Sequence, residues 1–174
     1  RTNAVFNGNK LTLSNESATG ASFVFTDGIL QNAVLSGAQN IAGDVAAGSE
    51  PVITLGSGSG FGDDAAVTIA DGAETILASG SVAENGSTVN VDTDGLLGLV
   101  SDNLDYYTKT TGDGSIGVTK DPREENAPNI NIYNDQSEFT GDYTQDAGRV
   151  TVKNGATFFG GTNEVTGTQV TDST

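Results

Sequence analysis

Val67-Thr68-Ile69-Ala70-Asp71-Gly72-Ala73-Glu74 and Val150-Thr151-Val152-Lys153-Asn154-Gly155-Ala156-Thr157 share one pattern, starting at residues 67 and 150. Each opens with apolar–Thr–apolar alternation, which puts two apolar side chains on one face of a short strand. Each then runs into Asp-Gly or Asn-Gly, residues suited to tight turns. Weaker copies stand at Leu11-Thr12-Leu13-Ser14-Asn15, Val89-Asn90-Val91-Asp92-Thr93-Asp94-Gly95 and Ile130-Asn131-Ile132-Tyr133-Asn134-Asp135. A strand–turn unit that recurs in this way reads as the rung of a ladder. The pattern predicts that Val67 and Ile69, like Val150 and Val152, point into one thin shared core. It also predicts that Asp71-Gly72 and Asn154-Gly155 occupy corresponding turns.

The same period-2 alternation extends along the chain. Ser22–Phe25, Pro51–Leu55, Ala66–Ile69, Thr75–Ala78, Thr88–Val91, Ile116–Thr119, Ile130–Tyr133 and Arg149–Val152 all read as short strands. Gly, Asn, Asp and Ser punctuate them. The stretch most compatible with a helix is Gly95–Tyr107, but its apolar spacing is not cleanly helical, so a short helix and a buried strand both remain open there. Hydrophobic residues make up 35% of the 174 and aromatic residues only 6%, too few to fill a thick core. A thin core needs only two or three Val, Ile or Leu per rung. This predicts a single all-β domain over residues 1–174, a right-handed parallel β-helix, with a β-sandwich as the alternative. A coil of roughly 20–25 residues gives about seven turns, rising about 35 Å at ~4.8 Å per rung.

Segment 101–128 departs from the pattern. It is polar, holds Pro122 and Pro128, and carries Lys109, Lys120 and Arg123, three of the seven basic residues. It reads as an insertion projecting from the coil, where solenoids often bind partners. Tyr106, Tyr107, Lys109 and Arg123 are its candidate contact residues.

Charge and composition narrow the functions. Seven Lys and Arg against 23 Asp and Glu leave a net charge of −16. No basic residue lies between Lys10 and Lys109. This argues against nucleic-acid binding, which needs cations to neutralise phosphates, and against a basic membrane-surface patch. The chain has no Cys and no His, so soft-ligand metal sites and Ser–His or Cys–His catalysis are excluded. It also has no Met, so it reads as a mature or excised piece of a longer protein. No apolar run is long enough to span a membrane as a helix.

Asp63-Asp64 and Asp92-Thr93-Asp94-Gly95 resemble pieces of calcium loops. None completes the ligand set such loops need, so Asp63, Asp64, Asp92 and Asp94 are weak candidates for calcium and no cofactor is otherwise implied. Asp63/Asp64, Glu124/Glu125 and Asp142/Asp146 are the carboxylate pairs that would serve a polysaccharide-acting enzyme. Such clefts also need aromatic platforms and cationic partners, which are scarce here. Gly-rich 56–62 has no phosphate-binding Lys after it, so it is a poor phosphate cradle.

The run Phe139-Thr140-Gly141-Asp142-Tyr143-Thr144-Gln145-Asp146-Ala147-Gly148-Arg149-Val150-Thr151-Val152-Lys153-Asn154-Gly155-Ala156-Thr157-Phe158-Phe159-Gly160-Gly161 resembles a repeat of bacterial autotransporter passenger domains and related secreted adhesins. In that pattern Gly-x-Tyr-x-Gln-x-x-Gly leads into an apolar–Thr–apolar strand, then Asn-Gly-Ala and Phe-Gly-Gly. The likeness covers about 35 residues and is loose elsewhere. It implies a right-handed parallel β-helix outside a Gram-negative-type envelope, without enzymatic activity. It implies adhesion to a host or neighbouring-cell surface through glycan or protein, a display stalk, or association with further copies of itself. A C-terminal membrane barrel of the family is not present in this stretch of chain. A polysaccharide-acting enzyme and a calcium-stabilised secreted module are the alternatives on the same fold.

Overall fold

The computed structural model describes residues 2–7, 10–15, 22–24, 28–42, 52–122 and 125–171, with side chains over 29–41, 52–122 and 125–169. Every regular element among them is a strand. The first are β1 (Thr2–Asn7), β2 (Lys10–Asn15), β3 (Ser22–Val24), β4 (Gly28–Leu30) and β5 (Ala33–Ala42). Three full coils follow: β6 (Val52–Leu55), β7 (Gly60–Phe61) and β8 (Ala66–Ile69); β9 (Glu74–Leu77), β10 (Val82–Ala83) and β11 (Thr88–Val91); β12 (Leu96–Leu99), β13 (Leu104–Tyr106) and β14 (Lys109–Gly112). The last strands are β15 (Ser115–Val118), β16 (Asn129–Ile132), β17 (Asp142–Gln145), β18 (Arg149–Val152), β19 (Thr162–Val165) and β20 (Thr168–Thr171).

From β2 onward the strands pair in parallel with neighbours one coil away, so the chain is a β-solenoid of about six turns with the architecture of a right-handed parallel β-helix. The parallel ladders set aside the β-sandwich, whose strands would pair antiparallel. The first face stacks β4, β6, β9, β12, β15, β17 and β19. The second stacks β2, the start of β5, β7, β10, β13, β16, β18 and β20; the third stacks β3, the end of β5, β8, β11 and β14. The coil count is about six against the seven expected; β1 pairs only antiparallel, with β2, and adds no rung.

The two leading copies of the pattern do not stack on each other. Val67 lies in β8 on the third face and pairs with Val89 of β11. Val150 lies in β18 on the second face and pairs with Ile130 of β16. The weaker copies are therefore the true rung partners of the stronger ones. Both pairs point into the same core, as expected: Val67, Ile69, Val150 and Val152 are all buried. The turns do not correspond, although Gly72 (φ 71°) and Gly155 (φ 83°) both adopt the left-handed conformation that their motifs require.

Segment 101–128 is mostly ladder. Residues 104–118 contribute β13 and β15, each paired on both sides, and β14, paired with β11 and bridged beyond only at Gly112 to Phe139. The stretch Gly95–Tyr107 forms strands, not a helix. Of the residues that suggested a projection, Lys109 sits at an outward position of β14 and Tyr107 directly follows β13. Among the described residues, 119–122 and 125–128 lie outside any strand, and the step here is long: Ser115 pairs with Asp142, 27 positions on, where Glu74 pairs with Leu96, 22 positions on.

Candidate functional site

Adjacent residues of a strand point to opposite sides, and this separates the expected contact residues. Tyr106 ends β13 facing inward, where it is fully buried and its hydroxyl hydrogen-bonds the Thr110 Oγ1 at 2.8 Å. Burial pushes its hydroxyl far above the ordinary tyrosine range. Tyr106 is therefore a core residue and not a contact residue. It sits in an inward column with Leu35, Phe61, Ala83, Ile132 and Val152, where small Ala83 leaves room between two large rings.

Tyr107 points outward. Its ring stacks on Tyr133, one rung below, with centroids 4.4 Å apart and planes inclined by 17°. The ladder explains the contact: Tyr106 is in register with Ile132, so the next residues share an outward column. Partial burial, reinforced by the Tyr133 phenol and by Asp105, raises the Tyr107 hydroxyl above its usual value. Lys153 continues the column, its Nζ 6.0 Å from the centre of the Tyr133 ring. Beside it, Asn131 Nδ2 donates to Asp105 Oδ1 at 2.9 Å. Asn134 Nδ2 donates to the Tyr107 carbonyl at 3.0 Å and fixes the turn under the stack. The second face thus carries an outward strip of Glu84, Tyr107, Tyr133 and Lys153, acidic at one end, aromatic in the middle and cationic at the other.

Lys109 starts β14 on the third face and forms an ion pair with Glu138 at 2.6 Å, both side chains partly in solvent. It does not join the tyrosine strip. Arg123 and Glu124 lie outside the described residues. Tyr133 and Lys153 belong to the strip without having been expected there. Their signal was present, since both directly follow an inward apolar residue in the repeated pattern, but only the register brings them beside Tyr107.

The acidic candidates are scattered. Asp63 and Asp64 occupy the turn before β8, where both carboxylate oxygens of Asp64 accept from Ser36 Oγ at 2.7 and 2.9 Å. Asp92 and Asp94 occupy the turn after β11, where Asp92 accepts from Asn90 Nδ2 at 2.6 Å. Among the described residues no three carboxylates converge as a metal site. Asp142 and Asp146 bracket β17, which at ~3.3 Å per residue sets their backbones about 13 Å apart, wider than a glycosidase pair.

A second surface feature lies on the first face. Ile76, Leu96, Gly98, Val100 and Gly117 line an apolar groove whose rim is Lys120, Asp121 and Pro122. Glu74 borders it, and burial there raises its carboxyl above the usual range. The structure places Ile76 and Leu96 outward.

Comparison with protein-family models, curated proteins and solved structures finds no match to this chain.

Proposed function

We propose that this chain is an extracellular, non-enzymatic adhesive or stalk module of a bacterial surface, of the autotransporter-passenger kind that residues 139–161 resemble. The observation that carries the reading is the outward strip on the second face. Tyr107, Tyr133 and Lys153 are held on successive rungs of a stiff ladder, and Asp105, Asn131 and Asn134 fix the polar groups beside them. Aromatic side chains bury large area at small entropic cost, and a ladder pre-organises them, so such a strip favours contact with a glycan or protein surface. The acidic exterior keeps a long surface module soluble and repels anionic polymers.

The test is binding of the purified chain to bacterial and host cells and to glycan panels, alongside Tyr107→Ser, Tyr133→Ser and the double variant. The double variant is expected to lose about tenfold or more in affinity with an unchanged unfolding transition. Undiminished binding by a folded double variant removes the strip from the reading. Turnover of a polysaccharide by the wild-type chain overturns the reading as a whole, and a chelator-sensitive melting temperature replaces it with the calcium-stabilised module.

A further inference from the structure

We propose that Tyr107 and Tyr133 form a site of oxidative cross-linking, in which a peroxidase-type one-electron oxidant joins the two rings into dityrosine and staples adjacent rungs. Three observations carry this. The rings are already in contact and nearly parallel, at 4.4 Å and 17°. Both rings reach solvent, Tyr133 at 37% exposure and Tyr107 half-buried, so an oxidant reaches them. The column offers no competing phenol, because Glu84 and Lys153 occupy the rungs on either side. The chain has four tyrosines, and the other two, Tyr106 and Tyr143, are buried in the core.

Each phenol gives one electron and one proton to the oxidant, so that one hydrogen peroxide becomes two waters. The two phenoxyl radicals form a carbon–carbon bond between ring positions next to the oxygens. The hydrogens on those carbons then move to the oxygens, which restores two aromatic phenols. The net change is loss of two hydrogens from the chain. The link would close a loop from 107 to 133. Closing it restricts the unfolded chain more than the folded one, as a disulfide does.

The experiment treats dilute native protein with a haem peroxidase and hydrogen peroxide. The expected product is a monomer, lighter by two hydrogens, with dityrosine fluorescence and a proteolytic fragment joining Tyr107 to Tyr133. Tyr107→Phe and Tyr133→Phe each abolish the product while keeping the stacked shape. The linked protein melts at higher temperature than the untreated one. Protein oxidised in denaturant gives mixed links and dimers, which shows that the folded register directs the pairing. Dimers as the main native product, a link through Tyr106 or Tyr143, or folded protein that gives no dityrosine would each overturn the proposal.

Discussion

Residues 52–100 and residues 104–159 build the same solenoid in different ways. In the first region the rungs repeat at a constant 22 positions, as in Val52 with Glu74 and Glu74 with Leu96. Its core is mostly aliphatic, with Phe61 its one ring: Ile53, Leu55, Val67, Ile69, Leu77, Val89, Val91, Leu97 and Leu99 are buried. In the second, the first-face steps run from Leu96 to Ser115, Ser115 to Asp142 and Asp142 to Thr162. Its core is aromatic and partly polar. Phe159 packs against Tyr106, Phe139, Tyr143 and Phe158, with the Tyr143 ring stacked on it at 5.3 Å. Where the third face lacks a strand after β14, the Gln136 side chain takes its place. Its Oε1 accepts from the Thr110 N–H and its Nε2 donates to the Thr108 carbonyl, both at 2.8 Å. An equal period lets small aliphatic side chains stack on their own kind. An irregular one needs rings to span uneven gaps and a buried amide to satisfy the backbone.

The sharpest way to break this contrast is at Phe159. Phe159→Ala removes the ring shared by four neighbours and should cost about 4 kcal/mol in urea unfolding, as for other large buried rings. Leu97→Ala, in the regular region, removes a smaller buried side chain and should cost about 3 kcal/mol. If Leu97→Ala proves the costlier, the aromatic cluster is not the anchor of the irregular region. Gln136→Leu should cost about 2 kcal/mol, since the Thr110 N–H and Thr108 carbonyl would be left buried without partners. Hydrogen exchange at Thr110 should accelerate in that variant and stay slow at Val89, its rung equivalent.

The smallest effect tests the polar turn of the irregular region by pH. Asp135 accepts hydrogen bonds from the Thr157 hydroxyl and the Ser137 N–H, and these hold its carboxyl down at about 2. A folded value below the unfolded one means the stabilisation is present above about 4 and is lost as pH falls toward 2. Asp135→Asn should flatten that part of the acid limb. An unchanged acid limb in the variant would show that the turn contributes no pH-dependent stability.

The regular region was the more legible of the two. Alternation at Val67-Thr68-Ile69 and Val89-Asn90-Val91 marks both strand and inward face, because each apolar residue follows a polar one at period 2. In the irregular region polar content is a poor guide to position. Tyr106 and Tyr107, adjacent and chemically alike, were grouped as one contact patch, yet one fills the core and the other meets solvent. Lys109 was among the residues that suggested a projecting insertion, although it is an outward residue of a ladder strand. The apolar groove at Ile76 and Leu96 was hidden because both of its walls read as core.

The sequence by itself determined that this chain is a ladder of short strands with Gly-bearing turns and a thin apolar core. Those properties follow from period-2 alternation and backbone preference, which are local. Only the tertiary structure decided which rung lies on which. Register depends on how many residues each turn consumes, and a shift of one residue turns every side chain to the opposite face. That is why Val150 stacks on Ile130 and not on its nearer look-alike at Val67, and why Tyr107 meets Tyr133.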